Sequence, residues 1–297
     1  MDNTDQPTKP LSHHSTQFSK NNERSGRSLS RLSLVRPSFG ALYFWTVVFI
    51  LFLPIFLLII FSFNNSTTLV FPLKGFTLKW FVELPKNVEM LKAVRTSILL
   101  GFGSSLVATI LGAMSAIAIV RYNFPGRGLF VGIVALPLVI PYVILGVSLL
   151  IMLHQIGVHL SAWAAGIAHV VISVPYATLV IAARLVGFPQ NLEEAAMDLG
   201  ATYWEALLRV TIPISFPALL AAFLICFTIS FDEFAIASFL VGTQPTLPVY
   251  LYSQLRFPTR LPLVVSLAAI LMSASMVLIL FSEWLRRVGQ VTKPRKK

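Results

Sequence analysis

Charge is scarce in this 297-residue chain. Asp, Glu, Lys and Arg together make up 12% of it, about half the share usual in a soluble globular domain. The single cysteine, Cys226, lies inside an apolar run, so there is no disulfide framework and no reading of the redox compartment. No G-x-x-x-x-G-K-[ST] loop occurs, so the chain does not cradle nucleotide phosphates in that way. H-E-x-x-H, paired C-x-x-C and G-x-S-x-G patterns are missing too. His13, His14, His154, His159 and His169 have no ligand-like spacing to one another or to the cysteine. Catalysis, a resident metal and a bound cofactor therefore find no support in the sequence.

What is present in quantity is apolar. Hydrophobic residues account for 56% of the chain and the mean hydropathy is +0.79, values of an integral membrane protein. The net charge of +11 would suit nucleic acid, but its distribution points elsewhere. Lys9, Lys20, Arg24, Arg27, Arg31 and Arg36 precede the first apolar run, and Arg286, Arg287, Lys293, Arg295, Lys296 and Lys297 follow the last. Basic residues at membrane flanks orient a chain in the bilayer. Residues 1–40, polar and Ser-rich without apolar periodicity, read as a disordered basic tail. The apolar run that follows is too long for a signal-peptide core and reads as an uncleaved anchor. Residues 286–297 form a second basic tail.

A spanning helix needs about 20 apolar residues. Runs at 41–63, 97–120, 129–153, 162–186, 214–241 and 262–284 qualify, predicting an all-α bundle of six transmembrane helices over 41–285 with both termini on one side. The two tails with Arg121, Arg127, Arg184 and Arg209 hold 16 of the 23 basic residues, and Lys74, Lys79, Lys86, Lys92, Arg95, Arg256 and Arg260 lie on the other side. The richer side is cytoplasmic. Ser104, Ala108, Gly112 and Ala116 recur every four residues, a small-residue ridge for close helix packing either within the bundle or against a second chain. Pro54, Pro137, Pro141 and Pro175 are expected to bend their helices.

The polar segment 191–217, NLEEAAMDLGATYWEALLRVTIPISFP, falls on the cytoplasmic side. Asn191 with Glu194, and Thr202 with Glu205, have capping-box spacing, and Gly200 sits where a left-handed helix stop belongs. The reading is a short helix, a glycine turn and a second helix. A first helix of about eight residues is not stable alone. Its stripe of Leu192, Ala195, Ala196 and Leu199 needs a partner surface.

Asp232 and Glu233 lie inside the apolar stretch Ile214–Gly242. At 1.5 Å per residue Asp232 is about 27 Å along that helix, near the outer edge of the bilayer core. Two readings stand: an acidic patch on a path for a cationic solute, or a structural pair with Arg256 or Arg260 or at the interface. His169 and Tyr176 are further candidates for lining such a path, against the plainer reading of polar groups satisfied within the bundle.

Glu194, Ala195 and Ala196, followed by Gly200 and then Ile212 and Pro213, resemble the EAA signature of ABC importer permeases. The stretches TSILLGFGSSLVATILGAMSAIAIV, FTISFDEFAIASFLVG and LPVYLYSQLR resemble the second permease subunit of spermidine/putrescine importers. The resemblance covers roughly residues 41–285. It implies a type I ABC importer permease bundle in the bacterial inner membrane, with the short helix as a cytoplasmic coupling helix. Glu193, Glu194, Ala195, Ala196, Asp198 and Gly200 would meet an ABC ATPase dimer, which hydrolyses the ATP. A second permease subunit and a periplasmic substrate-binding protein are the other implied partners. Polyamine is the implied cargo. Relatives of similar sequence import iron(III), thiosulfate, aminoethylphosphonate or opines. A transporter independent of an ATPase, or a purely structural scaffold, would leave the short helix without a partner.

Overall fold

The computed structural model describes residues 39–68, 70–187 and 191–290. Of the tail expected over residues 1–40, residues 1–38 lie outside them and the last two already belong to the first helix; residues 291–297 of the C-terminal tail lie outside them too. The chain divides into two compact units, Met1–Pro54 and Ile55–Lys297.

Helix α1, Phe39–Ser62, crosses that division. In the first unit its large apolar side chains, among them Leu42, Phe44, Trp45 and Phe49, are exposed, as a helix dissolved in hydrocarbon allows. All further description concerns the second unit. There α2 (Lys79–Glu83), α3 (Val88–Arg121), α4 (Arg127–Val139), α5 (Tyr142–Gln155) and α6 (Ala162–Val186) follow α1. After them come α7 (Asn191–Asp198), α8 (Tyr203–Ala206), α9 (Ile212–Asp232), α10 (Ala235–Leu240), α11 (Leu247–Gln254) and α12 (Leu261–Gln290). The described residues hold no strand, only an isolated bridge between Asn64 and Phe76.

Among the described residues, four helical stretches, Gly40–Ser62, Val88–Arg121, Ala162–Val186 and Tyr203–Asp232, are long and apolar enough to cross a membrane. The run predicted as a single helix over 129–153 is instead α4 and α5, bent by 110°. The residue before a proline is pushed out of the helical region; Ile140, before Pro141, is extended at φ −79° and ψ 127°. Pro175, by contrast, is carried inside a continuous α6.

The direction of each helix follows from its contacts. α3 ends at Arg121 against Glu193 of α7, and α6 ends at Val186, just before α7. Both therefore run toward α7, and α9 runs away from it. α6 begins at the opposite end, where the Ser161 amide donates to Leu240 O at 2.9 Å. The α4–α5 pair thus starts near α7 and finishes at the far end, so it is a broken crossing rather than a re-entrant loop. α12 starts at the far end as well, where Ser266 Oγ donates to Ser62 O at 3.2 Å.

Small residues set the packing. Ser104, Ala108, Gly112 and Ala116 are all buried on α3, and Ala108 and Ala116 share a core with Ala177, Ile181, Leu185, Ala222 and Cys226. The ridge is thus covered inside the bundle, by α6 and α9. A second core joins Leu145, Leu149 and Leu153 of α5 to Ala165 and Ile172 of α6 and to Ile236 and Leu240 of α10. At the far end Leu84, Met90, Leu247, Tyr250 and Leu267 form a third, where the Leu247 amide donates to Ser97 Oγ at 2.8 Å.

Candidate functional site: the α7 segment and the break after α9

Helix α7 stops where the sequence predicts. Gly200 has φ +93°, its amide donates to Met197 O at 2.9 Å, and the Ala201 amide donates to Ala196 O at 3.1 Å. These two bonds are a Schellman stop, which needs a left-handed residue. A Cβ on Gly200 would meet nothing within 4 Å, so the glycine answers to backbone conformation and not to crowding. Thr202 then starts α8. The Thr202 amide donates to Glu205 Oε2 at 2.9 Å and the Glu205 amide to Thr202 Oγ1 at 3.4 Å, a complete capping box. The box expected at Asn191 is not built that way. Asn191 is already the first residue of α7, so the cap position falls on residue 190, outside the described residues.

α7 presents its two faces in the reverse of the usual order. Leu192 is 46% exposed and Leu199 90%, whereas Glu193 is 7% exposed. Glu194, Ala195, Asp198 and Gly200 are exposed and Ala196 is half-buried. Glu193 therefore turns away from the free surface on which the resemblance set it. Its Oε1 lies 3.0 Å from Arg121 Nη2 and accepts from Thr211 Oγ1 at 2.7 Å. A buried carboxylate must be paired and hydrogen-bonded, and removing one partner of such a pair costs about 3–5 kcal/mol. The ion pair between Arg209 and Glu205, with 77% and 41% of its side chains exposed, is screened by water and contributes little. Glu193 is the buried side chain of α7 among the described residues, and it ties the helix to α3 and to the turn before α9. Trp204 and Leu208, further along the segment between α6 and α9, are exposed as well.

The second acidic position also departs from expectation. The apolar stretch 214–241 is not one helix. Glu233 is extended at ψ 122°, and its carboxylate accepts from the amides of Ile236 and Ala237, both at 2.8 Å. These are free donors of the first turn of α10, which a carboxylate satisfies. Glu233 is 5% exposed, and His169 Nε2 lies 3.5 Å from its Oε2. His169 Nδ1 and Ser230 Oγ share a 2.6 Å hydrogen bond, and Ser230 Oγ is 3.0 Å from Ser104 Oγ. A buried polar chain thus links α10, α6, α9 and α3. Among the described residues neither Arg256 nor Arg260 pairs with Glu233; the Arg260 guanidinium donates to Gln254 Oε1 at 2.7 Å. The Glu233 carboxylate is thus engaged by the α10 amides and lies beside His169. Asp232, the last residue of α9, is exposed. Tyr176 is half-buried, with its hydroxyl 3.4 Å from that of Tyr142 at the start of α5.

At the far end of α3 a cleft of about 820 Å3 is lined by Glu89, Lys92, Arg95, Gln244, Tyr250 and Gln254, among others. It has no signal in the sequence, because its walls come from α3, from α11 and from the turn before α11.

Residues 108–288 match the family described as binding-protein-dependent transport system inner membrane component. The chain is 32% identical over 238 residues to the spermidine/putrescine transport system permease protein PotC of Escherichia coli K12, covering 80% of this chain and 89% of that one. It is 34% identical over 245 residues to the putrescine transport system permease protein PotI of the same organism, covering 77% and 86%. The molybdenum transport system permease protein ModB of Haemophilus influenzae is 29% identical over 214 residues, covering 66% of this chain and 93% of that one. Among solved structures, the crystal structure of a bacterial ABC transporter involved in import of the acidic polysaccharide alginate superposes with a TM-score of 0.64 at 18% identity. That match covers 83% of this chain and 94% of that one, and it speaks for the fold alone.

Proposed function

The chain belongs to the inner membrane components of binding-protein-dependent transport systems, and from that premise we propose that it carries polyamines into the cytoplasm. It is a transport subunit of an ABC importer. The observation that carries the cargo is the pair of polyamine permeases, similar at 32% and 34% identity across most of both chains. The exposed carboxylate of Asp232 suits a polycation entering from the far end, since an acid at membrane depth is stabilised by meeting an opposite charge. Glu233 is occupied by backbone amides and supports Asp232 by fixing the break beside it.

Work comes from an ABC ATPase dimer. α7 and the exposed Leu192, Leu199 and Trp204 are the surface offered to it, which sets α7 in the cytoplasm together with both termini. Beside the ATPase, a second permease chain and a periplasmic substrate-binding protein complete the importer. ATP is bound and hydrolysed by the partner. Closure of the ATPase dimer displaces α7, and the bundle alternates its opening between the two sides. Such coupling requires that each side's ligand favours one of the two arrangements.

The test is reconstitution. Proteoliposomes holding this chain, its second permease chain and the ATPase, supplied with the binding protein, should accumulate labelled putrescine or spermidine when ATP is present and not when it is withheld. Accumulation that ignores ATP would place the chain among ATPase-independent transporters. ATP-driven accumulation of molybdate in place of polyamine would keep the permease and change its cargo.

A further inference from the structure

Helix α7 has eight residues, too few to hold their shape without tertiary contacts, and its apolar stripe faces outward. Its buried side chain among the described residues is that of Glu193. Glu193 Oε1 receives both the Arg121 guanidinium and the Thr211 hydroxyl. Arg121 is the last residue of α3, and Thr211 is the last residue of a π-helical turn, Leu207–Thr211, directly before α9. π turns are rare, and where they interrupt a helix they commonly mark functional positions.

The same two helices meet again about 26 Å away, by the helical rise from Arg121 to Ser104. There Ser104 of α3 and Ser230 of α9 are 3.0 Å apart, and His169 of α6 ties them to Glu233, whose carboxylate caps α10. α3 and α9 are thus pinned together at the buried polar chain and again, through Glu193, at α7. We propose that Glu193 is the transmission point of this importer: a positioning residue through which a displacement of α7 reaches α3 and the π turn of α9 together. The inference rests on the ATP-driven reading above, which supplies the force. A buried pair of this kind moves as a unit, because separating it would strand a charge. The neighbouring Glu205–Arg209 pair is open to solvent and too weak to pull a helix. The free face of α7 does not include Glu193, so recruitment of the ATPase and transmission of its movement are carried by different residues of one helix.

Three variants separate those roles: Glu193→Ala, Glu193→Gln and Thr211→Val. Each is assembled into the complete importer, and three quantities are read against the native chain. These are the amount of ATPase copurified, the stimulation of ATP hydrolysis by cargo-loaded binding protein, and ATP-driven uptake. The native importer establishes the ATP-driven reading by itself; if it fails to take up cargo, that reading falls before any variant is compared. With the native chain active, Glu193→Ala is expected to copurify the ATPase normally while stimulation and uptake both fall about tenfold or more, within the usual range of coupling energies. Glu193→Gln, which keeps an acceptor for Thr211 and loses the charge facing Arg121, should fall between Ala and native, as should Thr211→Val. The cargo concentration for half-maximal uptake should not move. Uptake and stimulation within twofold of native in Glu193→Ala would overturn the proposal. So would loss of ATPase copurification in Glu193→Gln, since Glu193 would then serve recruitment or mere folding of α7.

Discussion

Gly112 of α3 and Ala177 of α6 approach so closely that a Cβ on the glycine would stand 2.4 Å from the alanine Cβ. No side-chain rotation relieves that contact, because both partners are attached directly to helix backbones. Gly112→Val should therefore cost about 1–3 kcal/mol or more of bundle stability. Gly103, also on α3, offers the contrast: a Cβ there would meet nothing within 4 Å, and Gly103→Ala should be silent. Thermal unfolding in detergent of the two variants checks the difference.

Gly200 makes the opposite demand. With open space around it and φ at +93°, Gly200→Ala carries only the left-handed backbone penalty, about 1–2 kcal/mol. Asn, which tolerates that region, should retain more function than Ala, and Val should retain least. ATP-driven uptake by the three variants, ranked Asn above Ala above Val, is the expected order. A ranking by side-chain size alone would point to crowding instead.

The exposed stripe of α7 predicts a loss of binding without a loss of folding. Leu199→Glu, at a side chain 90% exposed, should leave the permease as stable as the native chain and weaken ATPase copurification by about 2 kcal/mol, the scale of an interface hot spot. Trp204→Ala should act in the same direction. Unchanged copurification in both variants would remove this surface from the ATPase contact.

The stop at Gly200 and the box of Thr202 with Glu205 can be read from local spacing, because local hydrogen bonds deliver them. The extents of α1 and α6 follow from hydropathy, since lipid enforces helix wherever backbone would otherwise be unpaired. What the sequence hides depends on which residues meet across the bundle. In the sequence Arg121 is only a basic flank, yet it holds Glu193. Ser104 is one small residue in a ridge, yet it ends a buried polar chain through Ser230 and His169. The breaks at Ile140 and Glu233 lie inside continuous apolar runs, where hydropathy has no contrast; Pro141 marks the first and the Glu233 carboxylate the second.

The two adjacent acids should separate cleanly. Glu233→Gln offers a single acceptor oxygen where two amides, of Ile236 and Ala237, now donate to a carboxylate. Leaving one of them unsatisfied should cost about 1–3 kcal/mol of stability. Asp232→Asn removes an exposed charge and should leave unfolding unchanged while raising the polyamine concentration needed for half-maximal uptake. Thermal unfolding and concentration-dependent uptake of the two variants provide the comparison.

Polyamine import stands or falls on uptake of labelled putrescine and spermidine in cells lacking this chain, with and without its re-expression. Re-expression of the native chain should restore uptake, and the Asp232→Asn chain should restore it only at higher polyamine concentrations. Equal uptake with and without the native chain would contradict polyamine as its cargo.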